Sequence, residues 1–273
     1  MAKAWLVHSK CSMGQRQAMS IMYHSKDCTH SHNGTSQYRM VPTMNDDLIK
    51  QLETQIKQAQ PKPKLWTPGQ TLRISFVNIR GDVSKKAIYD IACEWLKYAY
   101  LHFELVDDKD ASAEIRINAF EEGHEYTEAD WDDEDSNDID SNMTISWVPD
   151  DPNSAADILR QTGSILGMEI AQFHPDATIP WNFDYIRKNY REDLDEQQNL
   201  QLSDDDIDYL IRIKLTSMSN EVQIALGYDE QSIMHDPLYT EFTVAGWKTE
   251  PDTTLSEKDK QFMALVYPGR SEA

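Results

Sequence analysis

The strongest constraint on the fold is a succession of short strand-like and helix-like segments between residues 71 and 168. Residues 71–77 alternate apolar and polar side chains, which is typical of a half-buried strand. Ser84 is a good helix N-cap, and apolar residues recur at helical spacing over residues 88–99. Three further strands and a second helix are indicated at residues 103–106, 114–117, 143–148 and 154–168. This order predicts an α+β domain.

The first 64 residues differ in composition from the rest of the chain. They are polar and contain four of the eight histidines and two of the three cysteines. Leu48, Leu52 and Ile56 recur at four-residue spacing and predict a helix over residues 44–60, which prolines 61 and 63 then end. We expect an N-terminal extension over residues 1–64, partly disordered or helical, and a domain over residues 65–273. Beyond the second helix, one more helix is predicted at residues 204–215, among loops rich in Tyr and Trp.

The charge balance excludes several classes of protein. The chain has 47 acidic and 26 basic residues and a net charge of -21, which disfavours nucleic-acid binding. No segment approaches the roughly 20 apolar residues that a membrane span needs. The first apolar run is too short for a signal peptide, and three cysteines are too few for a disulfide framework. The composition therefore predicts a cytoplasmic protein that binds neither nucleic acid nor membrane.

Several short segments between residues 66 and 268 resemble, in their order and spacing, the astacin branch of the metzincin metallopeptidases. Residues 142–147 resemble the edge strand that aligns substrate in that family, and residues 232–237 resemble its Met-turn. The other similar segments are residues 66–69, 72–76, 113–117, 255–260 and 265–268. The resemblance implies a zincin-like catalytic-domain fold, with a mixed twisted sheet and two main helices.

The residues that carry the family's chemistry are replaced. Metzincins contain the motif H-E-x-x-H-x-x-G-x-x-H, in which three histidines bind zinc and the glutamate is the general base. When Gly167 is aligned with the glycine of this motif, the ligand positions hold Arg160, Ser164 and Ile170, and the base position holds Gln161. Arg repels a cation, Ile has no donor atom, and Gln cannot take up a proton. We therefore expect a pseudo-metallopeptidase without a metal ion or other cofactor.

Other potential metal donors lie near these positions. They are Glu169, His174, His235 and Asp236, but their spacing does not by itself predict convergent geometry, and ordinary polar residues of the cleft are the simpler interpretation. Cys93 is most simply a small buried residue.

Two further segments contain possible ligands. The N-terminal cluster of His24, Cys28, His30 and His32 matches no standard zinc spacing. The acidic segment 130–140 lacks the glycine and the final glutamate of an EF-hand loop, so a solvated loop is the better interpretation.

The replacement of zinc by a cation predicts an ion pair. Arg160 needs an acidic partner if it is partly buried, and Asp236 on the predicted Met-turn is the expected one. Such a pair either fills the space that zinc would occupy or takes part in a function.

Two functions remain open. The first is binding of an extended peptide or protein partner in the retained cleft. Its candidate residues are Asn142, Met143, Ile145, Trp147, Ile170, His174, Met234 and His235. The second is a metal-independent enzyme that acts on a small organic molecule, for example a secondary-metabolite cyclase. Its candidate residues are Arg160, Gln161, Ser164 and Asp236. A shallow groove would favour the first function, and a closed apolar cavity the second.

Overall fold

The computed structural model describes residues 46–59, 64–80, 83–121, 141–198, 202–249 and 252–269. The strands are β1 (Thr71–Arg80), β2 (His102–Leu105), β3 (Ile115–Glu121) and β4 (Met143–Trp147). The helices are α1 (Asp46–Ala59), α2 (Lys85–Ala92), α3 (Pro152–Ile165), α4 (Phe183–Gln198), α5 (Asp204–Leu215), α6 (Glu221–Leu226) and α7 (Glu257–Val266). Short 3-10 turns cover Cys93–Lys97, Ala171–Phe173 and Thr240–Phe242. The predicted α+β class is confirmed.

The four strands form one sheet in the order β2-β1-β3-β4. All three pairings are parallel, with Ile74 opposite Leu105 and Ile115, and Ile117 opposite Met143. The resemblance implied a mixed sheet, but the four described strands are all parallel. A parallel pair needs a crossover connection, and α2 supplies it between β1 and β2.

The first hydrophobic core lies between the sheet and helices α2, α3 and α7. The alternation in β1 has the predicted effect, since Leu72, Ile74 and Phe76 are all buried. Trp95 is completely buried, and its indole Nε1 donates to the carbonyl of Leu159 in α3 at 2.9 Å. This bond fixes the turn after α2 against the helix that carries the candidate site.

The two helices predicted next to the sheet are present with small shifts. Ser84 caps α2 as predicted, and its hydroxyl accepts from the Ala87 amide. Helix α3 begins two residues earlier than predicted because Asp151 caps it and Pro152 occupies its first position. Gly167, just after α3, has φ +95°, and a Cβ there would lie 2.5 Å from Cδ2 of Leu65. A glycine is therefore required where the chain turns away from the helix.

A second hydrophobic core lies in the C-terminal half. It contains residues of α4 and α5 together with Phe173 and Phe242, and Leu52 of α1 is buried in it. The predicted helix in the N-terminal extension is thus present and packs on the domain. Helix α5 has the predicted bounds, whereas α4 and α6 lie where loops were expected. Helix α4 was not predicted because most of its residues are polar. The α4 residues that are buried in the second core are Ile186 and Tyr190.

Some predictions fall on residues outside the described part of the chain. These are the N-terminal His/Cys cluster and the acidic segment 130–140. Within the described ranges, no helix is long and apolar enough to cross a membrane. Cys93 is half-buried against the first core.

Candidate functional site

The candidate site lies where α3 meets the segment 232–237. Arg160 of α3 donates through Nε to the carbonyl of Ile233 at 3.0 Å. The same Nε lies 3.7 Å from Oδ1 of Asp236, and Nη1 lies 3.6 Å from Oδ1 of Asp157. The predicted contact between Arg160 and Asp236 is therefore present. Asp157 is a second acidic partner that sequence reasoning missed, although its i, i+3 spacing from Arg160 was a usable signal.

Burial controls the electrostatics of this cluster. The side chains of Arg160, Asp236 and Asp157 are 14%, 16% and 29% exposed. Burial raises the pKa of Asp157 and of Asp236 above the usual value, while the charge of Arg160 acts in the opposite direction. The guanidinium group thus stabilises two carboxylates that would otherwise be costly to ionise.

Gln172 fixes the position of Asp236. Its Nε2 donates to Oδ2 of Asp236 at 3.1 Å, and its Oε1 accepts from the Asp236 amide at 3.0 Å. Gln172 is only 2% exposed, so these bonds satisfy a buried amide side chain. Sequence reasoning missed this residue, and no local pattern marks it.

Gln161, at the predicted general-base position, joins α3 to β4. Its Oε1 accepts from the Thr144 amide at 3.1 Å, and its Nε2 donates to the Thr144 carbonyl and to Oδ2 of Asp157. Ser154 also bonds the backbone of β4, two residues beyond Thr144. Its hydroxyl donates to the carbonyl of Ser146 at 2.8 Å. An incoming peptide therefore cannot pair with the backbone of Thr144 unless Gln161 moves.

The remaining residues predicted for binding have mainly structural positions. Asn142 bonds the Arg116 amide and the Glu114 carbonyl across the sheet, both at 2.8 Å. Ile170 is half-buried against the second core, and Ser164 lies half-buried one helical turn after Arg160. Four of the residues predicted for binding are buried in the first core: Met143, Ile145, Trp147 and Met234.

His235 is held as a neutral side chain. Its Nδ1 lies 3.1 Å from the carbonyl of Asp236, which can only accept, so Nδ1 carries the proton. Its Nε2 then accepts from the hydroxyl of Tyr228 at 3.0 Å. Burial lowers the pKa of His235, and burial also raises the pKa of Tyr228 to about 12. Both groups are therefore uncharged near neutral pH.

The other two possible metal donors are also engaged. Glu169 accepts from the hydroxyl and the amide of Ser219 and from the amide of Asn220, at 2.6–2.8 Å. His174 is 2% exposed, accepts from the Asp176 amide through Nδ1, and bonds the Ile224 carbonyl through Nε2. These contacts hold loops together and do not bring donor atoms to one point.

The site does not fit the zinc ion that the sequence resemblance implies. Within the described ranges, no group of three or more His, Cys, Asp or Glu side chains could hold a metal ion. The first ligand position holds a permanently charged guanidinium group, which has no lone pair to donate. We therefore derive no chemical step through zinc.

A small pocket lies beside the site rather than in it. Its cavity volume is about 20 Å³, which is room for a water molecule and not for an organic ligand. It is lined by residues that include His174, Ser232, Lys258 and Asp259. Arg160 and Asp236 do not line it.

Comparisons with known proteins give similar structures only. No family model and no curated protein matches the chain. A structure of myroilysin is 22% identical, with a TM-score of 0.49, over 76% of this chain and 97% of the other. A second structure of myroilysin is 21% identical, with a TM-score of 0.47, over 75% of this chain and 86% of the other.

A fish enzyme is also similar. High choriolytic enzyme 1, a hatching enzyme zinc-protease from the medaka Oryzias latipes, is 14% identical, with a TM-score of 0.40, over 72% of this chain and 90% of the other. Because all three TM-scores lie below 0.5, we base the function on the residues of this chain.

Proposed function

We propose that this chain is a catalytically inactive, astacin-like protein that binds a peptide or protein partner and does not cleave it. The observation that carries the proposal is the position of Arg160. Its guanidinium group stands at the first zinc-ligand position of the motif and lies between the carboxylates of Asp157 and Asp236. A guanidinium group at this position has no lone pair to donate, so the arrangement lacks the first ligand of a zinc site.

The loss of the general base supports the same conclusion. A glutamate at position 161 would activate water in a metzincin. Gln161 has no carboxylate, and its amide group is fully used by Thr144 and Asp157. The side chain therefore neither takes up a proton nor turns freely toward a substrate.

The exposed parts of the ion cluster support a binding role. Arg160, Asp157 and Asp236 keep 14–29% of their side-chain surface exposed. The edge of β4 at Thr144 is occupied by Gln161, so the partner contacts this cluster instead of extending the sheet there. The pocket beside the site does not supply the closed apolar cavity that a small-molecule enzyme would need, because its cavity volume is about 20 Å³.

The test combines metal content, hydrolysis and binding. We expect the natively purified protein to have the same mass under native and denaturing conditions, and to leave a fluorogenic peptide pool intact with or without added zinc. We expect the same pool to shift backbone NMR signals of residues 157–161 and 233–236. One bound zinc ion, or hydrolysis that a chelator abolishes, would show that the site is a metallopeptidase. Absence of NMR shifts in both segments would remove the binding role.

A further inference from the structure

The ion cluster has hydrogen-bonding capacity that the described residues do not use. Arg160 has five N–H donors, and only Nε makes a hydrogen bond within the described part of the chain. Its contacts with Asp157 and Asp236, at 3.6 and 3.7 Å, are longer than the 2.7–2.9 Å that is usual for a charge-assisted hydrogen bond. The pairing is therefore loose on both sides.

The two carboxylates are each satisfied on one oxygen only. Oδ2 of Asp157 accepts from Gln161 at 2.9 Å, and Oδ2 of Asp236 accepts from Gln172 at 3.1 Å. Among the described residues, neither Oδ1 accepts a hydrogen bond, and each faces the Arg160 guanidinium. Two acceptor oxygens, one near Nη1 and one near Nε, thus lie beside a guanidinium group whose Nη1 and Nη2 make no hydrogen bond within the described part of the chain.

The charges select the ligand class. The three side chains together carry one net negative charge when both carboxyl groups are ionised, and the whole chain carries -21. A ligand carboxylate at Arg160 would face two carboxylates at close range. A simple cation would satisfy the carboxylates but leave the Arg160 donors without acceptors. The complementary ligand has a cationic donor group next to a neutral acceptor oxygen.

We propose that Asp157, Arg160 and Asp236 bind the free amino terminus of a peptide. The α-ammonium group donates to the two free Oδ1 atoms, and the carbonyl oxygen of the first residue accepts from the Nη atoms of Arg160. The ligand contributes one positive charge to a site with one negative charge, so the complex is neutral. This inference rests on the proposed function and names the part of the partner that is recognised.

The matched ligands are one pool of randomised tetrapeptide amides with free amino termini and the same pool after N-acetylation. Acetylation removes the charge and keeps the rest of each peptide. We expect the free pool to shift the Arg160 Nε–H signal and the amide signals of residues 157 and 236 at millimolar concentration. The acetylated pool should bind at least about tenfold more weakly, because it lacks the charge-assisted hydrogen bonds.

Protein variants locate the effect. Asp236→Asn and Asp157→Asn should each weaken binding of the free pool about tenfold or more. Asp184→Asn is the matched control, because this side chain is 92% exposed and pairs with Arg187 of the same helix, α4, and not with the ion cluster. It should leave binding unchanged. If one aspartate variant does not fold, the other variant and the acetylated pool still test the inference.

The outcomes separate the two proposals. Equal binding of the free and acetylated pools, or full affinity in a folded Asp236→Asn variant, would overturn amino-terminal recognition and leave the peptide-binding role in place. Absence of binding by either pool would overturn both. Preference for the free pool together with loss in the aspartate variants supports the inference.

Discussion

The side chain of Gln161 makes both backbone hydrogen bonds of Thr144. Its Oε1 accepts from the amide at 3.1 Å, and one proton of Nε2 goes to the carbonyl while the other goes to Oδ2 of Asp157 at 2.9 Å. The amide group thus connects α3 to the edge of the sheet. A carboxylate of the same shape has no proton for the Thr144 carbonyl or for Asp157, so glutamine at this position is part of the fold.

We expect Gln161→Glu to lower the free energy of unfolding by about 2–4 kcal/mol at pH 7, because it places a second carboxylate against Asp157 at a site that is 9% exposed. The loss should become smaller as the pH falls, because the new carboxyl group is neutralised by protonation. Urea unfolding at pH 5 and pH 7 measures both effects. Gln231→Glu is the control, because Gln231 is exposed. Equal effects of the two substitutions would contradict the assigned role.

Removal of Arg160 should destabilise the protein in a pH-dependent way. Arg160→Met leaves Asp157 and Asp236 without a cation, at a cost of about 3 kcal/mol at pH 7. Burial already raises the pKa of both carboxyl groups. A raised pKa in the folded state means that the folded protein holds protons more firmly than the unfolded chain, so lowering the pH reduces the loss.

Unfolding of Arg160→Met at several pH values between 5 and 7 tests this expectation. Arg187→Met is the comparison, because Arg187 pairs with Asp208 near the surface at 2.7 Å. Arg187 lowers the pKa of Asp208 below the usual 3.8, and without Arg187 this carboxyl near the surface returns toward that value, which is still below this range. Asp208 therefore stays ionised in both proteins, and the loss should be independent of pH. A pH-independent loss in Arg160→Met would mean that the two buried carboxyl groups do not take up protons.

Glu114 should contribute stability in the opposite pH direction. Its carboxylate accepts from Nε and Nη2 of Arg73 at 3.1 and 3.0 Å, which lowers the pKa to about 2. The unfolded chain therefore binds a proton on Glu114 before the folded protein does, and the contribution is lost as the pH falls from about 4.5 to 2. We expect Glu114→Gln to cost about 1 kcal/mol at pH 7, since solvent screens the pair.

Unfolding by urea at pH 7 and near pH 2 measures this contribution. The difference between Glu114→Gln and the unsubstituted protein should disappear near pH 2. A difference that persists there would show that packing, and not charge, is the contribution of Glu114.

Local patterns predicted the parts of the fold that depend on local physics. The alternation in β1, the Ser84 cap and the bounds of α5 follow from side-chain period and capping. The direction of β4 was not predictable in this way, because a period of two is the same in parallel and antiparallel strands. Helix α4 was missed because most of its surface is polar.

In the candidate site too, some contacts could be predicted from the sequence and others depend on the tertiary structure. The pairing of Arg160 with Asp236 was predictable, because a partly buried cation needs an acidic partner and the resemblance placed both residues near the same point. The roles of Gln161 and Gln172 were not, since amide side chains bond whatever the tertiary structure brings to them. The direct bonding of Thr144 by Gln161 also changed the expected mode of peptide binding.

Helix α1 belongs to the folded domain if Leu52 is part of the second core, as its 6% exposure indicates. We expect Leu52→Ala to lower the free energy of unfolding by about 2–4 kcal/mol, because it removes buried methyl groups that pack in the cluster with Ile207 and Leu210 of α5. Gln55→Ala, at an exposed position of the same helix, should have little effect. If α1 were only docked on the surface, Leu52→Ala would release its amide protons to fast exchange without changing global unfolding. If it is part of the core, protection of α5 should fall together with that of α1.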